Sequence, residues 1–282
     1  MKFAGSLSEA NKEKAMYEIV GVPFDSRAHK KGTREGPNAI RAASQRLETF
    51  LWHKKLELSD LLYCDCGDMI LDRNFKEESF AKLDTARRKV FIGGDHAISY
   101  PIVKYLFEHD EVATVIVIDA HADFRNSYRS NIFSNACVMR RIAEMIGFEN
   151  VFEIGIRSSS EAEYALIKDR ISICDAAMLR EKGVKAVLDE IEGRKEQTYL
   201  SIDIDVLDPS IAPGVDNPEP CGLSLESLFA LVRGILKQEN VVASDVVEVN
   251  PRLDTANGIT SINAARLVFE ILGCYCEMDN CY

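Results

Sequence analysis

Three short segments of this chain carry side chains suited to holding cations: Gly93-Gly94-Asp95-His96, Asp119-Ala120-His121-Ala122-Asp123 and Asp203-Ile204-Asp205. In the second and third the donors recur two residues apart, so an extended backbone projects them to one side. Together they offer the carboxylates of Asp119, Asp123, Asp203 and Asp205 and the imidazoles of His96 and His121, drawn from a chain with only 5 histidines. Four carboxylates gathered in a dry cleft repel one another, whereas two divalent cations balance their charge and make burial tolerable. Oxygen-rich ligation with a minority of imidazole favours manganese and admits zinc, iron, cobalt or nickel. A pair of such ions makes hydroxide available at neutral pH and polarises an electrophile.

Each segment closes an apolar run. Eight such runs, rich in β-branched residues, read as strands: Tyr17–Val22, Leu61–Cys66, Lys89–Ile92, Ala113–Ile118, Val151–Gly155, Ile171–Cys174, Thr198–Ile202 and Val242–Val247. Most are continuous rather than alternating, the pattern of strands buried on both faces of a parallel sheet. Helical patterns lie between them, over Pro37–Leu47, Ser79–Arg88, Ser99–Phe107, Ala136–Ile146, Val184–Ile191, Leu225–Leu236 and Ile262–Leu272. The alternation predicts an α/β fold, a three-layer α/β/α sandwich around a mainly parallel eight-stranded sheet with right-handed crossovers. With no repeat and no linker-like tract, residues 1–282 read as a single domain. In open sheets of this kind ligands sit beyond the carboxyl ends of the strands, which is where all three donor segments fall.

Composition narrows the partners. A net charge of −11 over 282 residues argues against nucleic acid and against anionic membrane surfaces, and favours a small molecule or a metal. The N-terminal stretch has no apolar core of a signal peptide, and Val112 to Ile118 falls far short of the ~20 residues that span a bilayer, so a cytoplasmic location is expected. The 8 cysteines then read as reduced thiols. Cys64-Asp65-Cys66 and the tail with Cys274, Cys276 and Cys281 have close thiols but lack the paired C-x-x-C spacing of zinc ribbons, and read as small apolar filler.

The segments, taken with Val20-Gly21-Val22-Pro23-Phe24-Asp25, Gly32-Thr33-Arg34-Glu35-Gly36-Pro37, Gly155-Ile156-Arg157-Ser158, Pro218-Glu219-Pro220 and Val247-Glu248-Val249-Asn250-Pro251, resemble the ureohydrolases, the family of arginases and agmatinases. The wording is most like that of archaeal and bacterial agmatinases. The resemblance implies an arginase-like fold in which His96, Asp119, His121, Asp123, Asp203 and Asp205 hold two Mn2+ ions. It further implies that a metal-bridging hydroxide, oriented by Asp123, attacks a guanidinium carbon held by Glu248, that urea and an amine leave, and that the chains form trimers or hexamers. Asp95 and Asp208 read as groups that shape the loops or orient a ligand.

One departure stands out. Where many members of that family carry a histidine beyond the Asp-x-His-x-Asp segment, this chain has Asn135, which cannot act as an acid or base near pH 7. Asn135 is therefore a candidate catalytic or substrate-binding position of altered chemistry, with water or His29 as the substitute proton carrier, while His53 and His109 read as helix-surface groups. The stretch from Phe124 to Ser130 lacks the Asn and Ser/Thr pattern that grips an α-amino acid, which disfavours free arginine and leaves agmatine as the expected substrate. Arg125 and Arg129 either pair on the surface or favour a substrate with an acidic tail. Hydrolysis of another guanidino compound (arginine, a guanidino acid or formiminoglutamate) and a catalytically weakened, metal-binding regulator are the alternatives.

Overall fold

A run such as Thr114-Val115-Ile116-Val117-Ile118 has no polar face to offer water, so it is stable as a strand only where helices cover both sides. The computed structural model, which describes residues 1–75, 79–80, 83, 86–193 and 196–279, shows that arrangement. The strands are β1 (Tyr17–Val22), β4 (Tyr63–Asp68), β5 (Arg88–Gly93), β6 (Thr114–Ile118), β7 (Val151–Ile154), β8 (Ser172–Cys174), β9 (Gln197–Asp203) and β10 (Asn240–Val247). They form one eight-stranded sheet in the order β4-β1-β5-β10-β9-β6-β7-β8, and every neighbouring pair is parallel. On one face Ile19, Val90, Ile116, Ile202 and Val246 join a core with α1 (Gly36–Ser44), α5 (Ala176–Ile191), α6 (Leu225–Gln238) and α7 (Ile259–Met278). On the other, Val20, Phe91, Val115, Val117 and Tyr199 pack with α2 (Ser99–Glu108), α3 (Val138–Ile146) and α4 (Glu161–Ile167). The expected three-layer sandwich is what forms.

The differences have local causes. A short antiparallel hairpin, β2 (Phe50–Leu51) with β3 (Leu56–Glu57), was not expected because two-residue strands leave no periodic signal. His53 sits in its turn rather than on a helix, with Nε2 3.1 Å from Glu270. Helix α4 is likewise an addition, opened by a capping box in which Ser160 and Glu163 satisfy each other's backbone N–H groups. Gly183, at φ 80°, breaks α5 into two segments, and the sequence pattern had identified only the second. Of the helix expected over Ser79–Arg88, residues 81, 82, 84 and 85 lie outside the described residues; none of the six described residues in that span is α-helical, and Arg88 opens β5. Helix α7 extends well beyond Ile262–Leu272. By length and composition it is apolar enough to cross a membrane, but 83% of its most apolar 18-residue stretch is buried inside the fold, where the helix packs against α1 and α6 as a core helix does. Among the described residues no other helix has that length and composition.

Candidate metal centre

Four contiguous strands of the sheet, β5, β10, β9 and β6, end side by side. His96 follows β5, Asp119 follows β6, Asp203 closes β9 with Asp205 in the turn beyond it, and Glu248 follows β10. Parallel pairing puts all of these termini on one edge, so donors far apart in sequence converge. His96 Nδ1 lies 3.0 Å from Asp119 Oδ2, 3.3 Å from Asp123 Oδ2 and 3.5 Å from Asp203 Oδ2. His121 Nδ1 lies 3.0 Å from Asp205 Oδ2 and 3.7 Å from Asp119 Oδ1. Five of the six predicted donors thus fall into two groups, His96/Asp119/Asp123 and Asp119/His121/Asp205, which share Asp119, while Asp203 stands beside the first, 3.5 Å from His96, and belongs to neither. One oxygen of Asp119 faces each group.

Buried polar atoms normally have hydrogen-bond partners, yet His96 Nδ1 and Asp119 Oδ2 have none. The opposite edge of the imidazole is fully engaged. His96 Nε2 is 3.0 Å from Ser201 Oγ, and the Ser201 hydroxyl donates to Asp245 Oδ1 at 2.7 Å. Asp245 is held in turn by hydroxyls of Ser99 and Tyr199, at 2.6 and 2.7 Å. With the Ser201 proton committed to Asp245, this network assigns Nε2 of His96 as donor and turns the Nδ1 lone pair toward the carboxylates. Such outer partners fix the tautomer and direction of a ligating imidazole. Left to themselves, the carboxylates draw protons: burial opposes a charge on His121, but Asp205 and Asp119 override it and push the ring up to about 12. Burial raises Asp123 to about 6 and holds Asp203 and Glu248 well above the usual carboxylate range. These orphaned atoms and unrelieved charges fit a pair of divalent cations, with the neutral imidazoles and ionised carboxylates that cations require.

The backbone is bent to serve the cluster. Asp123 and Glu248 have φ of 52° and 65°, the left-handed region that L-residues adopt at a cost of ~1 kcal/mol or more and that concentrates at functional sites. Asp95, fully buried, accepts from the amides of Arg27, Ala28 and Ala97, tying the turn that carries His96 to the loop after β1. Gly94 permits that approach, since a Cβ there would lie 1.8 Å from the Phe24 carbonyl oxygen. Asp208 shapes a loop, accepting from Ser210 and from the Gly222 amide. Helix α4 also contributes: Glu163 accepts from the Phe124 amide at 3.1 Å, bracing the segment just after Asp123.

Glu248 Oε1 accepts from the His96 amide at 2.8 Å and from the Asn135 side-chain amide at 3.2 Å, while Oε2 is buried with no partner. The Asn135 carbonyl accepts from Ser134 Oγ at 3.0 Å, so its amide is fixed with the NH2 toward Glu248. Asn135, Asp123, Asp203, Asp205, His121 and Glu248 all line one cleft of about 270 Å³. His29 stands at its mouth, where Nε2 accepts from Arg129 at 3.1 Å. Arg125 and Arg129 both lie over the Tyr128 ring, and Arg125 is 3.6 Å from Glu163, so both are partnered. His109 caps the end of α2 and stacks on Tyr105, away from the cleft. The sequence reading missed the Ser201–Asp245 support, for which a buried Asp inside an apolar strand was the available signal. Glu219, to which the sequence reading of Pro218-Glu219-Pro220 gives no role, lines the cleft and accepts from Ser158 Oγ at 3.2 Å. Arg157 pins this wall by donating to the carbonyls of Asp205, Glu219 and Pro220.

A parallel sheet of this order thus brings twinned His/Asp donor groups, able to hold a pair of cations, to its carboxyl edge. Residues 15–274 match the arginase family, and the chain belongs to that family. An agmatinase from Halalkalibacterium halodurans is 34% identical over 276 residues, covering 94% of each chain. An N(1)-aminopropylagmatine ureohydrolase from Thermococcus kodakarensis is 33% identical over 274 residues, covering 93% of this chain and 91% of the relative. The crystal structure of agmatine ureohydrolase from Thermoplasma volcanium superposes with a TM-score of 0.88 at 28% identity, over 100% of this chain and 96% of that one. The chain is accordingly a ureohydrolase.

Proposed function

We propose that this protein, as a single ureohydrolase unit, hydrolyses agmatine to putrescine and urea. The observation that carries the reading is the unpartnered, buried Oε2 of Glu248 in the same cleft as both donor groups. A planar cation with forked N–H donors is what such a carboxylate lacks. His96, Asp119, His121, Asp123, Asp203 and Asp205 are proposed to hold two Mn2+ ions, which when bound supply hydroxide at neutral pH and offset the carboxylate charge. Glu248 orients the guanidinium, Asn135 holds Glu248 in place, and Asp123, at the cleft surface, directs the nucleophile toward the guanidinium carbon. The free amine of agmatine points outward along a wall bearing Glu219, a carboxylate that suits a cationic tail. Names of relatives support the choice, since agmatinases recur among them.

Arg125 and Arg129 at the mouth favour a second reading, a guanidino acid, although both are already engaged with Tyr128 and with Glu163 or His29. The same reading carries a homo-oligomer, trimeric or hexameric, and a cytoplasmic location. Urea release from agmatine, aminopropylagmatine, arginine and 4-guanidinobutyrate, after loading with manganese, tests it. Agmatine is expected to be turned over fastest. A preference for guanidinobutyrate would transfer the assignment to the second reading, and silence on all four at full metal occupancy would overturn both.

A further inference from the structure

The two cysteines of Cys64-Asp65-Cys66 lie on β4, the outermost strand of the sheet, far from the ends of β5, β6 and β9. Strand alternation separates their work from that of Asp65. The Asp65 carboxylate turns to one face and pairs with the buried Arg41 guanidinium, at 2.8 Å. Cys64 and Cys66 turn to the other, where their sulfurs approach to 3.4 Å. Directly across from Cys64 in the parallel register stands Glu18 of β1. Donor atoms of all three side chains lie within 4.8 Å of one another.

We propose that Cys64, Cys66 and Glu18 form a separate cation site that takes a thiophilic divalent ion such as zinc. The spacing favours an ion over a disulfide. Same-face neighbours on a strand have nearly parallel Cα–Cβ bonds, so their Cβ atoms stand about 6.6 Å apart, whereas a disulfide needs Cβ atoms near 3.8 Å. Two thiolates on one tetrahedral zinc, at ~2.3 Å each, sit about 3.8 Å apart, close to what the side chains already adopt. Charge is also accommodated. Glu18 lies 3.3 Å from Arg87 and 3.6 Å from Lys89, cations that sit beside the negative charge of a thiolate pair. Uptake of a divalent ion with release of both thiol protons adds no net charge to the site. Three protein ligands leave a fourth position, and Cys66 and Glu18 border a cleft of about 360 Å³ from which water or a small anionic ligand completes the shell.

The test is a titration with Co2+ of reduced, manganese-loaded protein, because thiolate-to-cobalt charge transfer gives a near-ultraviolet band that oxygen and imidazole ligands do not. One equivalent is expected to produce the band, Zn2+ to abolish it by displacement, Cys66→Ser and Cys64→Ala each to remove it, and Glu18→Gln to weaken binding about tenfold or more. Cys66 is exposed, so its serine variant keeps the readout independent of folding. Absence of the band in the reduced wild type, or its survival in the Cys64→Ala/Cys66→Ser double variant, would overturn the proposal. So would formation of a Cys64–Cys66 disulfide, seen as a two-proton mass loss, in protein already given zinc.

Discussion

Asn135 meets Glu248 through a hydrogen bond spanning 113 positions of sequence, and that contact gives the asparagine a job its chemistry permits. It cannot carry a proton, but it can hold a carboxylate still. A hydrogen bond to a charged group contributes roughly 1.5–3 kcal/mol, so Asn135→Ala is expected to lower kcat/KM for agmatine about tenfold or more. Asn135→His is expected to raise kcat by about tenfold or more, because general acid–base groups typically contribute roughly 10²–10⁴. Steady-state urea kinetics on the two variants check both; an unchanged alanine variant would remove Asn135 from the machinery. Glu248→Gln leaves a buried guanidinium without its counter-charge and should reduce kcat/KM by roughly 100- to 1,000-fold. At this scale the six proposed cation donors were legible because their types and two-residue spacing are local facts. The link between Asn135 and Glu248 was not, since nothing in either segment announces the other.

Elements set the donors' directions. His96 owes its orientation to Ser201 on β9 and Asp245 on β10, neighbouring strands whose register brings Asp245 directly opposite Ser201. Asp245→Asn breaks that support without touching a donor atom. It should weaken manganese affinity about 10- to 100-fold by titration calorimetry, the usual effect of losing an outer partner. A second buried acid, Glu153 on β7, has neither oxygen hydrogen-bonded, and burial pushes its carboxyl well above the ordinary glutamate range. The folded state then keeps a proton that the unfolded chain gives up. Its contribution is complete below the unfolded value and is lost as pH rises toward the folded one. Glu153→Gln, which copies the neutral acid, should therefore flatten the fall in Tm above the ordinary glutamate range; a steeper fall would contradict the assignment. Continuous apolar runs made the strands and the sheet class readable in the sequence. Helix α4 escaped notice although Ser160 and Glu163 spell its capping box, and the break at Gly183 escaped because a lone glycine does not reveal its φ.

Across the whole molecule, the sheet order is what makes a site out of scattered segments. No pattern in the sequence states that β10 and β9 insert between β5 and β6, yet this insertion brings Glu248 beside His96 and the carboxylates of Asp203 and Asp205. Cations bound there should stabilise the entire fold by mass action, and their chelation is expected to lower Tm by about 5 °C or more in scanning calorimetry. The most direct test is to count ions by elemental analysis of purified, manganese-loaded protein beside three variants. Wild type should retain two equivalents per chain and Asp123→Asn and Asp205→Asn about one each. Asp119→Asn, which lies between the two donor groups, should lose both. Wild type that retains no ion, or an Asp119→Asn variant that retains two, would contradict a paired metal centre in this cleft.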